Sequence, residues 1–167
     1  MFRNVITALC FFLGASFGAA AQSKTDPGKI AGALKGDNKG GAASNKQCKL
    51  FTMSEAGSYV GATIRNMDNA AMGTGCQWTV GGNNGSMLVQ VVPARDHEKP
   101  SHAPGYKKLP EIGPEAFVVP EMGGWHAGSL QGAHAVHVML SGKGATEART
   151  IDLLKESLKR EAAAGEK

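Results

Sequence analysis

The histidine side chains of this chain have the types and spacing that could bind a metal ion. His126 and His137 lie in two consecutive segments that alternate polar and apolar residues like the strands of a hairpin. A two-residue turn at Gln131-Gly132 would place the two imidazoles directly opposite each other, with Cβ atoms about 5 Å apart. Copper accepts imidazole and thioether ligands, zinc accepts imidazole, and Met139 lies two positions further along. These residues predict a copper or zinc site at His126, His137 and Met139.

The register of this hairpin decides how the histidines meet. With a turn at Gly132-Ala133 instead, His126 would face Met139 and the two histidines would become diagonal neighbours. His97 and His102 lie in a proline-rich segment that could fold over the sheet and complete the site. The alternative for these histidines is an ordinary position, half-exposed on a polar sheet face or solvated in a loop. Two histidines without a third strong ligand make a weak metal site.

The sequence of the predicted domain favours no enzymatic chemistry. None of its serines after residue 48 has the Gly-x-Ser-x-Gly context of a nucleophile elbow. No glycine pair is followed by the Lys-Ser or Lys-Thr of a phosphate-binding loop. The paired carboxylates Glu111 and Glu115 flank a turn and need only face solvent. We therefore expect no catalytic residues, and no cofactor unless copper or zinc is bound.

A binding function is the remaining expectation. Long loops near residues 81–85, 94–112 and 121–124 would be carried on a rigid frame, where recognition usually resides. The apolar side chains that could anchor a partner are Tyr106, Met122 and Trp125. We expect a non-enzymatic domain that recognises a protein partner or a small ligand through its sheet face and loops.

Local signals predict the two helices that frame these residues. Thr52-Met53-Ser54-Glu55 has the spacing of a capping box and predicts a helix over residues 53–60 that ends at Gly61. A second helix is predicted over residues 146–161, where apolar residues recur at helical spacing along one stripe. The first helix would precede the sheet and the second would follow it.

The intervening residues predict the sheet. Strands are expected at residues 76–80, 87–91, 116–119, 125–130 and 133–140. Residues 93–114 contain five prolines and predict a long irregular excursion between the second and third of these strands. The expected fold class is α+β, an antiparallel sheet of about four to five strands with an N-terminal and a C-terminal helix packed on one face.

The N-terminal residues have the pattern of a cleavable export signal. One arginine precedes an apolar run from Val5 to Phe17, and small residues follow up to Ala21, where cleavage is expected. The run is shorter than the ~20 residues of a membrane-spanning helix, so we expect a periplasmic or secreted protein without stable membrane insertion. Cleavage would leave Cys48 and Cys76, which we expect to form a disulfide, because cysteines in exported chains usually pair. Two free thiols or a metal pair are the alternatives.

Composition divides the rest of the chain. Residues 22–47 contain five lysines, two aspartates and no aromatic residue, which predicts a disordered Gly/Lys-rich linker. Residues 48–161 are expected to form a single domain, and residues 162–167 a disordered tail. From residue 48 onward twelve basic residues balance twelve acidic ones. Because the excess positive charge lies in the linker, we do not expect nucleic-acid binding.

Several short motifs resemble those of a known class of bacterial domains. They are Cys48-Lys49-Leu50 before a helix, Cys76-Gln77-Trp78, Ile112-Gly113-Pro114-Glu115-Ala116-Phe117, and Leu130-Gln131-Gly132 entering an apolar strand that a closing amphipathic helix follows. The pattern, over residues 48–160, is similar to that of small secreted or lipid-anchored domains of unknown function whose fold resembles one repeat of the β-lactamase inhibitory protein. The resemblance implies a Cys48–Cys76 disulfide, a layout of helix, four strands and helix, and binding in place of catalysis. Many such proteins carry a lipid-anchoring cysteine, whereas Cys10 here lies inside the apolar run.

Overall fold

Antiparallel strands make up most of the fold. The computed structural model describes residues 41–121 and 123–165, so the predicted signal peptide, residues 1–21, and residues 22–40 of the predicted linker lie outside the described residues. The strands are β1 (Asn66–Ala70), β2 (Gly75–Thr79), β3 (Gly85–Pro93), β4 (Lys107–Lys108), β5 (Phe117–Glu121), β6 (Gly124–Gln131) and β7 (His134–Gly142). They form one seven-stranded sheet in the order β1-β2-β3-β7-β6-β5-β4.

The strand count corrects the predicted fold class. We expected about four to five strands with a helix at each end. The described part of the chain instead forms a seven-stranded sheet, and its only long helix is the C-terminal one. The two unpredicted strands, β1 and β4, are the two edges of the sheet. An edge strand pairs on one side only, and natural edge strands are often short or charged. The polar β1 and the two-lysine β4 therefore lack the apolar alternation that reveals a buried strand.

The helices are α1 (Gly41–Ser44), α2 (Met53–Val60) and α3 (Glu147–Gly165). The capping box predicted for α2 is confirmed, because the Glu55 amide donates to Thr52 Oγ1 at 3.2 Å and the Thr52 amide donates to the Glu55 carboxylate at 2.8 Å. Gly61 ends this helix with a φ of 76°. Helix α3 continues beyond the predicted end at Glu161 into the predicted tail, since the alanines that follow are strong helix formers.

The hydrophobic core lies between the sheet and the helices α2 and α3. Fully buried side chains of β2, β3 and β7 on this face pack against Leu153 and Leu154 of α3 and against Phe51, which precedes α2; among them are Trp78, Met87, Val89, Val138 and Leu140. Alternate residues of a strand point to opposite faces, so the intervening residues of these strands lie on the other side of the sheet. We call that side, away from α2 and α3, the outer face.

The chain between α1 and α2 is tied into the core. Cys48 and Cys76 lie at disulfide-bonding distance, with Cα atoms 5.0 Å apart, in the predicted pairing, and both are buried. The Asn45 side chain donates to the Gly75 carbonyl oxygen at 2.8 Å, so the packed structure begins before the expected boundary at Cys48. That contact joins positions thirty residues apart and leaves no local sequence signal. None of the described helices is long and apolar enough to cross a membrane.

Candidate functional site

The last hairpin places two histidines on the outer face as diagonal neighbours. Its turn is Gly132-Ala133, the second of the two registers considered, so the directly opposed arrangement of the histidines is wrong. His126 instead faces Met139, and His137 faces Gly128. Directly paired residues of an antiparallel sheet lie on the same face, and successive residues alternate between faces. His126, His137 and Met139 therefore share the outer face.

The proline-rich segment between β3 and β5 covers part of the outer face. His97 Nδ1 lies 3.1 Å from His137 Nε2, so His97 packs against the sheet. Tyr106 stacks on Phe117 with ring centroids 5.7 Å apart. Phe117 is fully buried although it lies opposite the helices, because the segment covers it. His102, in the same segment, is exposed and takes no part in the cluster.

Five groups form a continuous row of close polar contacts across this face. The Glu121 carboxylate lies 2.9 Å from His126 Nδ1, and His126 Nε2 lies 3.0 Å from His137 Nδ1. His137 Nε2 meets His97 Nδ1 at 3.1 Å, and His97 Nε2 lies 3.3 Å from the Glu115 carbonyl oxygen. We call these five groups the histidine row. It joins strands β5, β6 and β7 to the covering segment.

Burial lowers the pKa of all three imidazoles in the histidine row. Burial lowers the pKa of His137 to about 4, and the nearby His126 and His97 act in the same direction. For His126, burial also lowers the pKa, although the Glu121 carboxylate opposes the shift. For His97, burial and then the positive charge of Lys99 lower the pKa. These shifts favour the neutral form of each imidazole, which has one ring N–H and one lone pair.

Gly128 lets two rings of this cluster approach the sheet closely. A Cβ atom at Gly128 would lie 2.8 Å from the Phe117 ring and 2.9 Å from His137 Nδ1. Glycine inside a strand often marks such a close approach. The lack of a side chain at this position is therefore part of what positions His137.

Two adjoining clefts open beside the histidine row. The smaller has a volume of about 240 Å³, and its polar and sulfur-containing lining residues include Asp96, Glu98, Glu121, His126, His137 and Met139. Leu88 contributes to its apolar lining. The larger, of about 390 Å³, shares Glu98, Glu121 and His126 with it. We call the smaller one the outer-face cleft.

The other residues singled out by sequence lie elsewhere. Trp125 is half-buried on the core side, where it packs against the main cluster of apolar residues. Tyr106 is half-buried against Phe117. Met122 lies outside the described residues. The two aromatic rings are thus occupied in packing within the domain.

The described residues do not bring together three or more histidine, cysteine, aspartate or glutamate side chains in an arrangement that could hold a metal ion. The three histidines cannot share one ion in the observed orientation, because His137 presents Nδ1 to His126 and Nε2 to His97. A metal site within the histidine row would therefore use two of its histidines and a ligand of another kind.

Sequence reasoning missed Glu121, which orients His126. The signal was present, because Glu121 and Gly124 are separated by two residues that could form a hairpin turn. Such a turn would pair Glu121 with Gly124 and Val119 with His126, as observed, and would place Glu121 on the same face as His126.

Comparison of the chain with protein-family models, curated proteins and solved structures found no match. The resemblance to one repeat of the β-lactamase inhibitory protein stays a prediction. The functional conclusions below therefore rest on the geometry of the histidine row and the outer-face cleft.

Proposed function

We propose that this chain is an exported, non-enzymatic domain that binds a small, positively charged ligand in the outer-face cleft. The observation that carries the proposal is the lining of the cleft, which combines the acidic residues Asp96, Glu98 and Glu121 with His126, His137 and Met139. Lysine and arginine do not occur among the described residues that line it. Export is supported by the buried Cys48–Cys76 pair, because disulfides persist in oxidising compartments.

The size of the cleft favours a small ligand over a protein partner. Its volume of about 240 Å³ lies just below the range of roughly 300–1,000 Å³ that is usual for small-molecule pockets. At roughly 30 Å³ for each water molecule, this volume corresponds to about eight waters, so the cleft has room for a small organic cation or a hydrated metal ion. Among the apolar residues predicted as anchors for a protein partner, Tyr106 and Trp125 pack within the domain.

The charge of the lining favours a cation. Asp96, Glu98 and Glu121 are acidic residues around one partly enclosed space. Attraction to a unit charge at 4 Å is about 1 kcal/mol in bulk water and about 4 kcal/mol at the effective dielectric constant of a protein surface. Binding an anion there would be opposed by the same interactions.

Ligand-dependent thermal stabilisation tests this proposal. The probes are putrescine, arginine, choline, Cu(I) and Zn(II), with citrate and glucose as anionic and neutral controls. A ligand at 100 times its Kd stabilises the folded protein by about 2.7 kcal/mol, so the melting temperature should rise with at least one cationic probe. Leu88→Trp should abolish the rise, because the larger ring would fill the outer-face cleft.

The matched control is Ser58→Trp, which places the same ring in a separate surface groove beside α2 and should preserve the response. The proposal is refuted if no cationic probe stabilises the protein, or if the stabilisation survives in Leu88→Trp. Equal stabilisation by citrate would also refute it.

A further inference from the structure

The two ends of the histidine row determine where its outer ring protons lie. The Glu121 carboxylate and the Glu115 carbonyl oxygen accept hydrogen bonds and cannot donate them. His126 Nδ1, 2.9 Å from Glu121, and His97 Nε2, 3.3 Å from Glu115, must therefore carry the protons of these two contacts. With these outer protons placed, the inner nitrogens, His126 Nε2 and His97 Nδ1, are the ring positions at which a metal ion could bind.

His137 stands between these two inner nitrogens, with its Nε2 3.1 Å from His97 Nδ1 and its Nδ1 3.0 Å from His126 Nε2. An ion shared by two rings could therefore lie on either side of His137. The outer-face cleft distinguishes the two sides, because His126 and His137 line it and His97 does not.

We propose that a copper ion binds between His126 Nε2 and His137 Nδ1, with the Met139 thioether as the third ligand. This inference rests on the proposed function, because the ion would occupy the same outer-face cleft. Met139 lies directly opposite His126 in the β6–β7 ladder and lines that cleft with both histidines.

The spacing of the two nitrogens is close to that required by one shared ion. Metal–nitrogen bonds to histidine are about 2.0 Å long, so an ion with three ligands at about 120° would hold two nitrogens roughly 3.5 Å apart. The two nitrogens are 3.0 Å apart, so binding requires the rings to separate by about 0.5 Å. The remaining nitrogen of each ligand has its own partner, Glu121 for His126 and His97 for His137. Metal-binding histidines usually donate their second N–H to such a partner, which fixes the ring orientation. Glu121 and His97 are thus positioning residues.

The ligand set selects copper over zinc. Thioethers are soft ligands that favour Cu(I), whereas imidazole alone serves copper and zinc equally. Copper can also be held by two imidazoles and a thioether without a fourth protein ligand, while structural zinc sites normally use four. A proton held in an N–H···N hydrogen bond between His126 Nε2 and His137 Nδ1 would compete with the ion for the same position.

Anaerobic titration of the purified protein with Cu(I), in competition with bicinchoninate, tests the site. One Cu(I) should bind per chain. His126→Gln and His137→Gln should each weaken Cu(I) binding on the order of 100-fold, the upper end of what loss of a single supporting partner does. Met139→Leu, which keeps the apolar volume, should weaken Cu(I) binding roughly tenfold without changing Zn(II) binding.

His102→Gln is the matched control, because it removes an exposed histidine of the covering segment and should leave the titration unchanged. Because His137 is buried, circular dichroism must first show that each variant is folded. If His137→Gln does not fold, His126→Gln and Met139→Leu still test the site. The inference is overturned if the folded protein leaves all Cu(I) with bicinchoninate, which is the result expected if a proton occupies the position between the two histidines. It is also overturned if folded His126→Gln binds as the wild type does.

These outcomes can be separated from those of the broader proposal. If putrescine, arginine or choline stabilises the protein through the outer-face cleft and Cu(I) does not bind, only the copper inference fails. If none of the cationic probes acts through the cleft, the proposed function fails as well.

Discussion

Replacing Gly128 by alanine tests the packing of the histidine row most directly. Gly128 does not have a positive φ, so alanine is conformationally allowed and the effect of the substitution is steric. The new methyl group would lie 2.8 Å from the Phe117 ring and 2.9 Å from His137 Nδ1. Both side chains are buried, so neither ring can move without disturbing its neighbours.

Two opposing effects set the size of the change. Alanine in a strand is more favourable than glycine by about 0.5–1 kcal/mol, because the unfolded chain loses less freedom. Overpacking a filled interior typically costs about 1–3 kcal/mol. We therefore expect Gly128→Ala to lower the free energy of unfolding by about 1–2 kcal/mol, which corresponds to a fall of roughly 4–8 °C in melting temperature for a domain of this size.

Urea denaturation measures the stability change, and ¹H–¹⁵N spectra of the histidine rings report whether His137 has moved away from His126. The matched control is Gly113→Ala, where the new methyl group would make only an ordinary 3.5 Å contact with Ser129 Oγ. That variant should be as stable as the wild type, or more stable by up to about 1 kcal/mol. If Gly128→Ala is as stable as the wild type and its histidine spectra are unchanged, the described packing of Phe117 and His137 over β6 is incorrect.

Three further predictions concern the core and its borders. Arg160 is the main cause that lowers the pKa of Glu55 to about 2, so the stability from ionised Glu55 is complete above about pH 4.5 and is lost as the pH falls toward 2. Because Glu55 is partly exposed, Glu55→Gln should lower the free energy of unfolding by only about 1 kcal/mol at pH 7. Urea denaturation should show that the difference between the wild type and this variant shrinks below pH 4.5. A difference that stays constant with pH would contradict the prediction. The Cys48→Ala/Cys76→Ala variant should have a free energy of unfolding roughly 2–4 kcal/mol lower than the wild type, and dithiothreitol should not change it further. If full reduction leaves the stability of the wild type unchanged, the Cys48–Cys76 pair does not stabilise the domain. Leu154→Ala should lower the free energy of unfolding by about 2–5 kcal/mol, because the Leu154 side chain is fully buried. The control is Lys155→Ala at the exposed neighbouring position, which should lower it by about 0.5 kcal/mol or less. Equal losses in thermal denaturation would contradict the position of α3.

The elements with strong local signals were predicted well. The capping box from Thr52 to Glu55 and the glycine at position 61 place the two ends of α2 where the structure has them, since each cap is decided within about one helical turn. The central strands β2, β3, β6 and β7 were found because buried strands of an antiparallel sheet alternate between a core face and an outer face. The edge strands β1 and β4 were missed, because their pairing depends on neighbours distant in sequence.

The candidate site depended on contacts that the sequence does not specify locally. The histidines at 126 and 137 were recognised, but their register is set by the turn at Gly132-Ala133, and a shift of one residue in a turn changes which side chains meet. The position of His97 was open, because a proline-rich segment has no periodicity that indicates what it covers. Its contact with His137 spans forty residues.

Helix α2, the central strands and the Cys48–Cys76 pairing could be predicted from the sequence, which also singled out the residues that we propose as metal ligands. These features follow from residue type and short spacing. The meeting of Glu121, His97 and the Glu115 carbonyl with the two strand histidines in one row depends on tertiary contacts. Sheet register and loop packing are set by burial and hydrogen bonding across the whole domain, and these same contacts determine which histidines line the outer-face cleft.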